Sequence, residues 1–183
     1  MDENSLLSNS TLDSTSYSKE LRNKILDLVK LYAEETHKKI KFIPGKTLIP
    51  VSGKVYDETE IQMLTSSALD FWLTSNRFNT SFEKNLSKFL QVRHVLTCNS
   101  GSSANLLALS SLTSEQLENK INPGDEVITL AAGFPTTVNP ILQNNLIPVF
   151  VDVDLSTFSP KYDQIEDMIT EKTKAIMIAH TLG

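Results

Sequence analysis

Four small residues, Ser100-Gly101-Ser102-Ser103, follow an apolar run and lead into a helical one, and such a turn is a place where an anion can bind. A helix N-terminus has backbone N–H groups without intrahelical acceptors and carries a partial positive charge. A phosphate over Gly101, Ser102 and Ser103 would therefore meet several donors at once. Gly101 lets the backbone come close, and the serine hydroxyls add donors. The same residues also suit a plain helix cap with Ser100 or Ser102 as the capping side chain, and the local sequence leaves both uses open. No Gly-Lys-Ser/Thr follows, so this is not a nucleoside-triphosphate loop.

Other side chains have types that could do chemistry. Phe134 lies just past an expected strand end, where it could cover a bound aromatic ring or pack in the core. Arg77 falls in an expected connecting loop, residues 74–79, where it could hold an anionic substrate or simply be solvated. His180 also stands at a strand end, as an acid or base or as a hydrogen-bonded structural residue. Cys98 is the single cysteine. It excludes an internal disulfide and a multi-cysteine metal site within this sequence, and its apolar surroundings assign it to the core.

The elements that must position these residues alternate. Residues 94–98 read as a short buried strand, and Ala104, Leu107, Ala108 and Leu112 then repeat at helical spacing. Residues 122–125 (Asn-Pro-Gly-Asp) are turn chemistry, and residues 126–130 are a β-rich run. Pro135 suits the first position of a helix, which Pro140 kinks or shortens. Residues 147–152 form the next strand. Ser159-Pro160 reads as a cap and first-turn proline, with Ile165, Met168 and Ile169 on one helical face, and residues 175–179 close the series as a strand. Such alternation gives a mostly parallel α/β sheet, in which ligands bind at the carboxyl ends of the strands. Residues 99–103, 131–134, 152–154 and 180–183 should converge there.

Upstream, residues 1–18 are polar and aperiodic and are expected to be a disordered tail. A helix is expected from Lys19, with Leu21, Ile25, Leu28, Val29 and Tyr32 on its apolar stripe. Residues 42–55, with two prolines and two glycines, fit an extended arm, either crossing to a neighbouring subunit or running as a surface loop. Asp57 with Glu60 makes a capping-box start for a helix through Ile61, Leu64, Ala68 and Trp72 to about Leu73. Thr80 with Glu83 opens another, with Phe82, Leu86, Phe89 and Leu90 on one face.

The net charge of −5, with only a short lysine run at Lys38, Lys39 and Lys41, argues against a nucleic-acid surface. No segment approaches the roughly 18 consecutive apolar residues of a membrane span, and the polar N-terminus has no signal-peptide apolar region. The expected compartment is the cytoplasm, with no membrane partner.

In order, residues 99–104 (Asn-Ser-Gly-Ser-Ser-Ala), 123–128 (Pro-Gly-Asp-Glu-Val-Ile), 148–154 (Pro-Val-Phe-Val-Asp-Val-Asp) and 173–176 (Thr-Lys-Ala-Ile) resemble the DegT, DnrJ and StrS sugar aminotransferase family, within fold type I of pyridoxal-phosphate enzymes. The likeness covers roughly residues 64–183. Residues 72–79 and the proline-rich 131–140 are most similar to its CDP-6-deoxy-4-ketoglucose 3-dehydrase branch, which acts in lipopolysaccharide O-antigen dideoxysugar biosynthesis.

The resemblance implies the N-terminal part of the type I fold: an N-terminal helix and arm over residues 19–56, then an incomplete pyridoxal-phosphate-binding large domain over residues 57–183. It implies that Gly101, Ser102 and Ser103 hold the phosphate of pyridoxamine or pyridoxal 5′-phosphate, and that Phe134 stacks on the pyridine ring. The implied substrate is a CDP-4-keto-6-deoxyhexose. The cofactor amine condenses with its C4 ketone, a base removes a proton from the cofactor, and the ring takes up electrons as the C3 hydroxyl leaves. A homodimer, a ferredoxin-type reductase partner and a two-iron two-sulfur cluster are implied too. The pyridinium partner, the catalytic histidine or lysine and the cluster cysteines belong in later sequence, so no catalytic or metal-binding residue is assigned here and His180 is not the catalytic histidine. These residues alone are expected to be inactive. A pyridoxal-phosphate-dependent nucleotide-sugar aminotransferase and a non-catalytic ligand-binding or assembly module are the alternatives. In type I folds the first large-domain strand is separated from the next three by later sequence. Residues 94–98 should therefore lack ladder neighbours, while the three later strands pair together.

Overall fold

A run of Val, Ile, Thr and Leu at residues 127–130 is apolar on both faces, which suits the middle of a parallel sheet better than an edge. The computed structural model, which describes residues 16–37 and 41–180, places it there. β1 (Glu126–Leu130) pairs in parallel with β2 (Ile147–Val151) on one side and with β3 (Thr173–Ile176) on the other. Val127 packs with Leu109, Ile121, Ile141 and Leu146 on one face of the sheet. Ile128 and Leu130 pack with Val151 and Val153 on the other, against Ile165.

These strands belong to a unit spanning Leu96–Gly183. Two helices cover its first face, α4 (Gly101–Ser111) and α5 (Pro135–Gln143), with Pro135 in the first turn as expected and Pro140 buried inside the helix. The turn before β1 has Gly124 at φ 88°, the left-handed region that a glycine after proline adopts at low cost. Asp125 N donates to the Asn122 carbonyl across it at 3.0 Å. The loop after β2 departs from expectation. Pro160 does not open a helix; it forms an antiparallel bridge with Val153, and α6 (Tyr162–Asp167) starts later. A local turn competes successfully with the proline signal. Asp154 Oδ1 accepts from the Ser156 hydroxyl and backbone, which holds that carboxyl below its usual range, and Phe158 N donates to the Asp154 carbonyl at 2.7 Å.

Among the described residues, 94–98 form no ladder with any of these three strands. The expected separation from the three-stranded ladder therefore holds, but the expected burial does not: Leu96 is 78% exposed and Cys98 is exposed rather than core. A buried parallel strand needs neighbours at both edges and helices over both faces, and no described strand supplies the edges.

The regular structure among the described residues of the other unit, Met1–Val95, is helical. Residues 1–15, most of the expected tail, lie outside the described residues, but Ser16, Tyr17 and Ser18 are not tail: α1 (Ser16–Thr36) opens ahead of the expected Lys19. It packs along α2 (Glu58–Asp70), which ends before the expected Leu73 because Phe71 turns into the left-handed region. Both halves of the Asp57/Glu60 capping box form: Thr59 N donates to Asp57 Oδ1 at 2.8 Å, and Asp57 N to Glu60 Oε2 at 2.7 Å. The stripe that α1 buries is not the expected one. Leu26 and Ala33 are buried, while Leu21, Ile25, Leu28 and Tyr32 are exposed. Arg22 occupies the same buried seam, and its Nη2 reaches Asp70 Oδ1 at 2.7 Å and both oxygens of Ser66. Residues 42–56 run between the two helices without regular structure beyond a turn, as expected of an arm.

α3 (Arg77–Leu90) starts earlier than the expected Thr80. Arg77 is consequently its first residue and not part of a loop. Its Nε meets Asp70 Oδ2 at 2.8 Å, and its Nη2 lies 3.2 Å from Ser66 Oγ. With its side chain only 12% exposed, it is neither solvated nor open to a substrate.

Candidate functional site

The turn that the sequence marks for an anion becomes the N-terminus of α4. Ser100 is extended and caps the helix, its Oγ accepting from Ser103 N at 3.2 Å, so the capping role belongs to Ser100 and not to Ser102. Ala104 N bonds the Ser100 carbonyl at 3.0 Å. The backbone N–H groups of Gly101 and Ser102 then remain without an acceptor among the described residues, at the positive end of the helix. A Cβ built on Gly101 meets nothing within 4 Å, so the space beside its Cα is open. Two backbone donors, the Ser102 hydroxyl and the Ser103 hydroxyl fit the demands of a phosphate group.

Ser102 and Ser103 also line a cleft of about 230 Å³ together with Leu106, Thr136, Asn139 and Gln143. The opposite wall is thus one side of α5, from Thr136 to its last residue, Gln143. α4 and α5 run side by side in the same direction, joined by Asn105 Nδ2 to the Thr136 carbonyl at 3.2 Å and, further along, by Ser110 Oγ to Asn144 Oδ1 at 3.0 Å. Because α5 begins immediately beyond the carboxyl end of β1, the start of α4 lies at that same edge of the sheet, where α/β folds place their ligands.

Phe134 is the residue before α5, its carbonyl accepting from Thr137 N at 2.9 Å. It is 72% exposed, which removes the core-packing alternative and leaves its ring free at the mouth of the strand edge; it does not itself line the cleft. Residues 152–154 make a separate arrangement, with Asp152 N donating to Gln164 Oε1 at 3.0 Å and Asp154 held in its own turn. The structure sets Ser102 and Ser103 beside α5, the helix that follows the loop after β1, and the loop after β2 goes to α6. His180 is exposed at the end of the described residues, with 181–183 outside them. Among the described residues no group of three or more His, Cys, Asp or Glu is placed to hold a metal.

Sequence reasoning missed Asn105, Thr136 and Asn139. A signal for the first two was present: a proline at 140 cannot donate to the carbonyl four residues before it, which is Thr136, so some other donor had to be supplied.

Residues 54–183 match the model of the DegT/DnrJ/EryC1/StrS aminotransferase family. The chain is 57% identical over 164 residues to the lipopolysaccharide biosynthesis protein RfbH of Salmonella typhimurium, covering 89% of this chain and 38% of that protein. It is 48% identical to the dTDP-4-dehydro-2,6-dideoxy-D-glucose 3-dehydratase of Saccharopolyspora spinosa, covering 88% of this chain and 35% of that one. Among solved structures, the E. coli GDP-4-keto-6-deoxy-D-mannose-3-dehydratase with bound hydrated PLP superposes with a TM-score of 0.65 at 28% identity, over 69% of this chain and 32% of that one. The fold is accordingly the first part of the α/β type I architecture expected from sequence, and the chain spans little more than a third of the length of these curated relatives.

Proposed function

This chain belongs to the DegT/DnrJ/EryC1/StrS aminotransferase family, and we propose from that premise that it forms the phosphate-holding wall of a pyridoxamine-phosphate-dependent sugar 3-dehydratase. The substrate is a CDP-4-keto-6-deoxyhexose, and the product enters 3,6-dideoxysugar and O-antigen synthesis. The observation that carries the reading is the start of α4, where Gly101 and Ser102 offer free backbone N–H groups beside two serine hydroxyls at the carboxyl edge of a parallel sheet. Similarity to two proteins named as 3-dehydratases favours dehydration over amino transfer, which is the alternative within the same family. A non-catalytic binding module has no comparable support.

When bound, pyridoxamine 5′-phosphate would supply a primary amine for a ketone and a pyridine ring that takes up the electrons freed by proton removal and returns them as the neighbouring C3 hydroxyl departs. The chain's own residues do the holding. Gly101 N–H, Ser102 N–H and the hydroxyls of Ser102 and Ser103 grip the phosphate by charge-assisted hydrogen bonds, which anchors one end of the ring system. Phe134 covers the ring and excludes water from one face. No side chain here is assigned the proton transfers; those belong to later residues, as do the iron–sulfur ligands and the docking of a ferredoxin-type reductase. A cytoplasmic homodimer with the arm of residues 42–56 reaching toward a second subunit completes the proposal.

The test is a titration of the full-length enzyme, freed of cofactor, with pyridoxamine 5′-phosphate. Saturable uptake that inorganic phosphate competes away supports the assignment, and uptake indifferent to phosphate overturns it.

A further inference from the structure

Asn105 joins two helices at a point where the backbone requires it. In α5 the Thr136 carbonyl should accept from the N–H four residues on, but residue 140 is a proline and has none. Thr136 is half-buried, and a carbonyl left unpaired there carries the desolvation cost of an unmet hydrogen bond. Asn105 Nδ2, one turn into α4, donates to it at 3.2 Å. Ser102 and Ser103 lie on the turn just before Asn105, and Phe134 lies just before Thr136.

We infer that Asn105 is a positioning residue: by filling the donor gap that Pro140 opens at Thr136, it fixes the distance and angle between the phosphate seat on α4 and the aromatic ring of Phe134 before α5. The inference rests on the reading of α4 as the cofactor-phosphate seat. It adds a residue that touches neither phosphate nor ring. Without the Asn105 bond the helix pair stays together at its far end, because Ser110 Oγ still meets Asn144 Oδ1, and Asn144 Nδ2 donates to the Pro140 carbonyl at 2.8 Å. The near end is what loosens. A cofactor that must engage seat and ring together then binds less well, whereas a small anion that needs only the seat does not notice.

The experiment compares full-length wild-type enzyme, Asn105→Ala, Pro140→Ala and the double variant, each freed of cofactor and titrated separately with pyridoxamine 5′-phosphate and with inorganic phosphate, and each examined by the circular dichroism that the bound cofactor acquires. Asn105→Ala should weaken pyridoxamine 5′-phosphate about tenfold and alter the cofactor's dichroic band, while inorganic phosphate binds within about twofold of wild type. Pro140→Ala restores the N–H that Thr136 lacks, so the double variant should recover both affinity and band. Wild-type binding and an unchanged band in Asn105→Ala overturn the inference, as does a double variant no better than the single one. If Asn105→Ala does not fold, the double variant carries the test and must fold and bind as wild type. Wild-type enzyme that takes up no pyridoxamine 5′-phosphate would instead overturn the underlying reading. Loss of uptake in a Ser102→Leu/Ser103→Leu variant beside an unaffected Asn105→Ala overturns the positioning role alone.

Discussion

Arg77 and Asp70 face each other across the turn that joins α2 to α3, Nε to Oδ2 at 2.8 Å, and Arg22 of α1 reaches the same carboxylate from the other side at 2.7 Å. Three helices are tied through one carboxyl group whose side chain is 6% exposed, with the two arginines at 10% and 12%. Burial raises the Asp70 pKa, but the hydrogen bond and charge of Arg77, then those of Arg22, outweigh it and hold the carboxyl below its usual range.

Replacing Asp70 with Asn leaves two guanidinium groups nearly buried without their counter-charge. The expected loss is about 3–5 kcal/mol of unfolding free energy, measured by urea denaturation. A variant within error of wild type would mean that the helices are held by Leu26 and Ala33 alone.

The same carboxylate sets an acid limit. Its folded pKa lies below its unfolded value of about 3.9, so its contribution is complete above that value and is lost as pH falls through the folded one. Denaturation midpoints measured downward from about pH 5 should fall less steeply in Asp70→Asn than in wild type. Parallel curves would remove Asp70 from the acid response.

At the start of α2, Asp57→Ala should cost about 1 kcal/mol, because Asp57 Oδ1 no longer satisfies Thr59 N. An unchanged thermal midpoint would show that water serves that donor equally well.

Some of this was legible before any coordinates. The Asp57/Glu60 pair, Pro135 at a first helical turn and the two-sided apolar run of β1 are each strong signals carried by neighbouring residues, and each element started where expected. The misses share a cause. The buried seam of α1 runs through an arginine, and a count of apolar residues cannot see Arg22 as a core position, so the stripe was rotated onto Leu21 and Ile25. Asn76 precedes α3 without a side-chain cap bond, whereas Thr80 and Glu83 spell a capping box inside the helix, which moved the expected start. Cys98 sat in a strand-like run, but burial is a property of neighbours and not of the run itself. Of the site, Gly101, Ser102, Ser103 and Phe134 were readable as chemistry; Asn105 became visible only when Thr136 was placed beside it.

Phe134 offers a clean separation of roles because so little of it is buried. Phe134→Leu should leave the unfolding midpoint unchanged and weaken pyridoxamine 5′-phosphate by about 0.5–1.5 kcal/mol through lost stacking. Unchanged affinity would detach Phe134 from the cofactor.

The phosphate seat answers to a harsher change. Ser102→Leu with Ser103→Leu should remove hydrogen bonds to a charged group worth about 1.5–3 kcal/mol each, seen as a large loss of cofactor affinity in calorimetry. Retained affinity would place the phosphate elsewhere.

The most direct measurement is of the product. Holoenzyme carrying pyridoxamine 5′-phosphate is incubated with a CDP-4-keto-6-deoxyhexose, a ferredoxin-type reductase and its electron donor, and the nucleotide sugar is analysed by mass spectrometry and proton NMR. Replacement of the C3 hydroxyl by hydrogen, a net loss of one oxygen atom with the two electrons coming from the reductase, is the expected result for a 3-dehydratase. A product that keeps its C3 hydroxyl and carries an amine at C4 would contradict it and make the protein an aminotransferase.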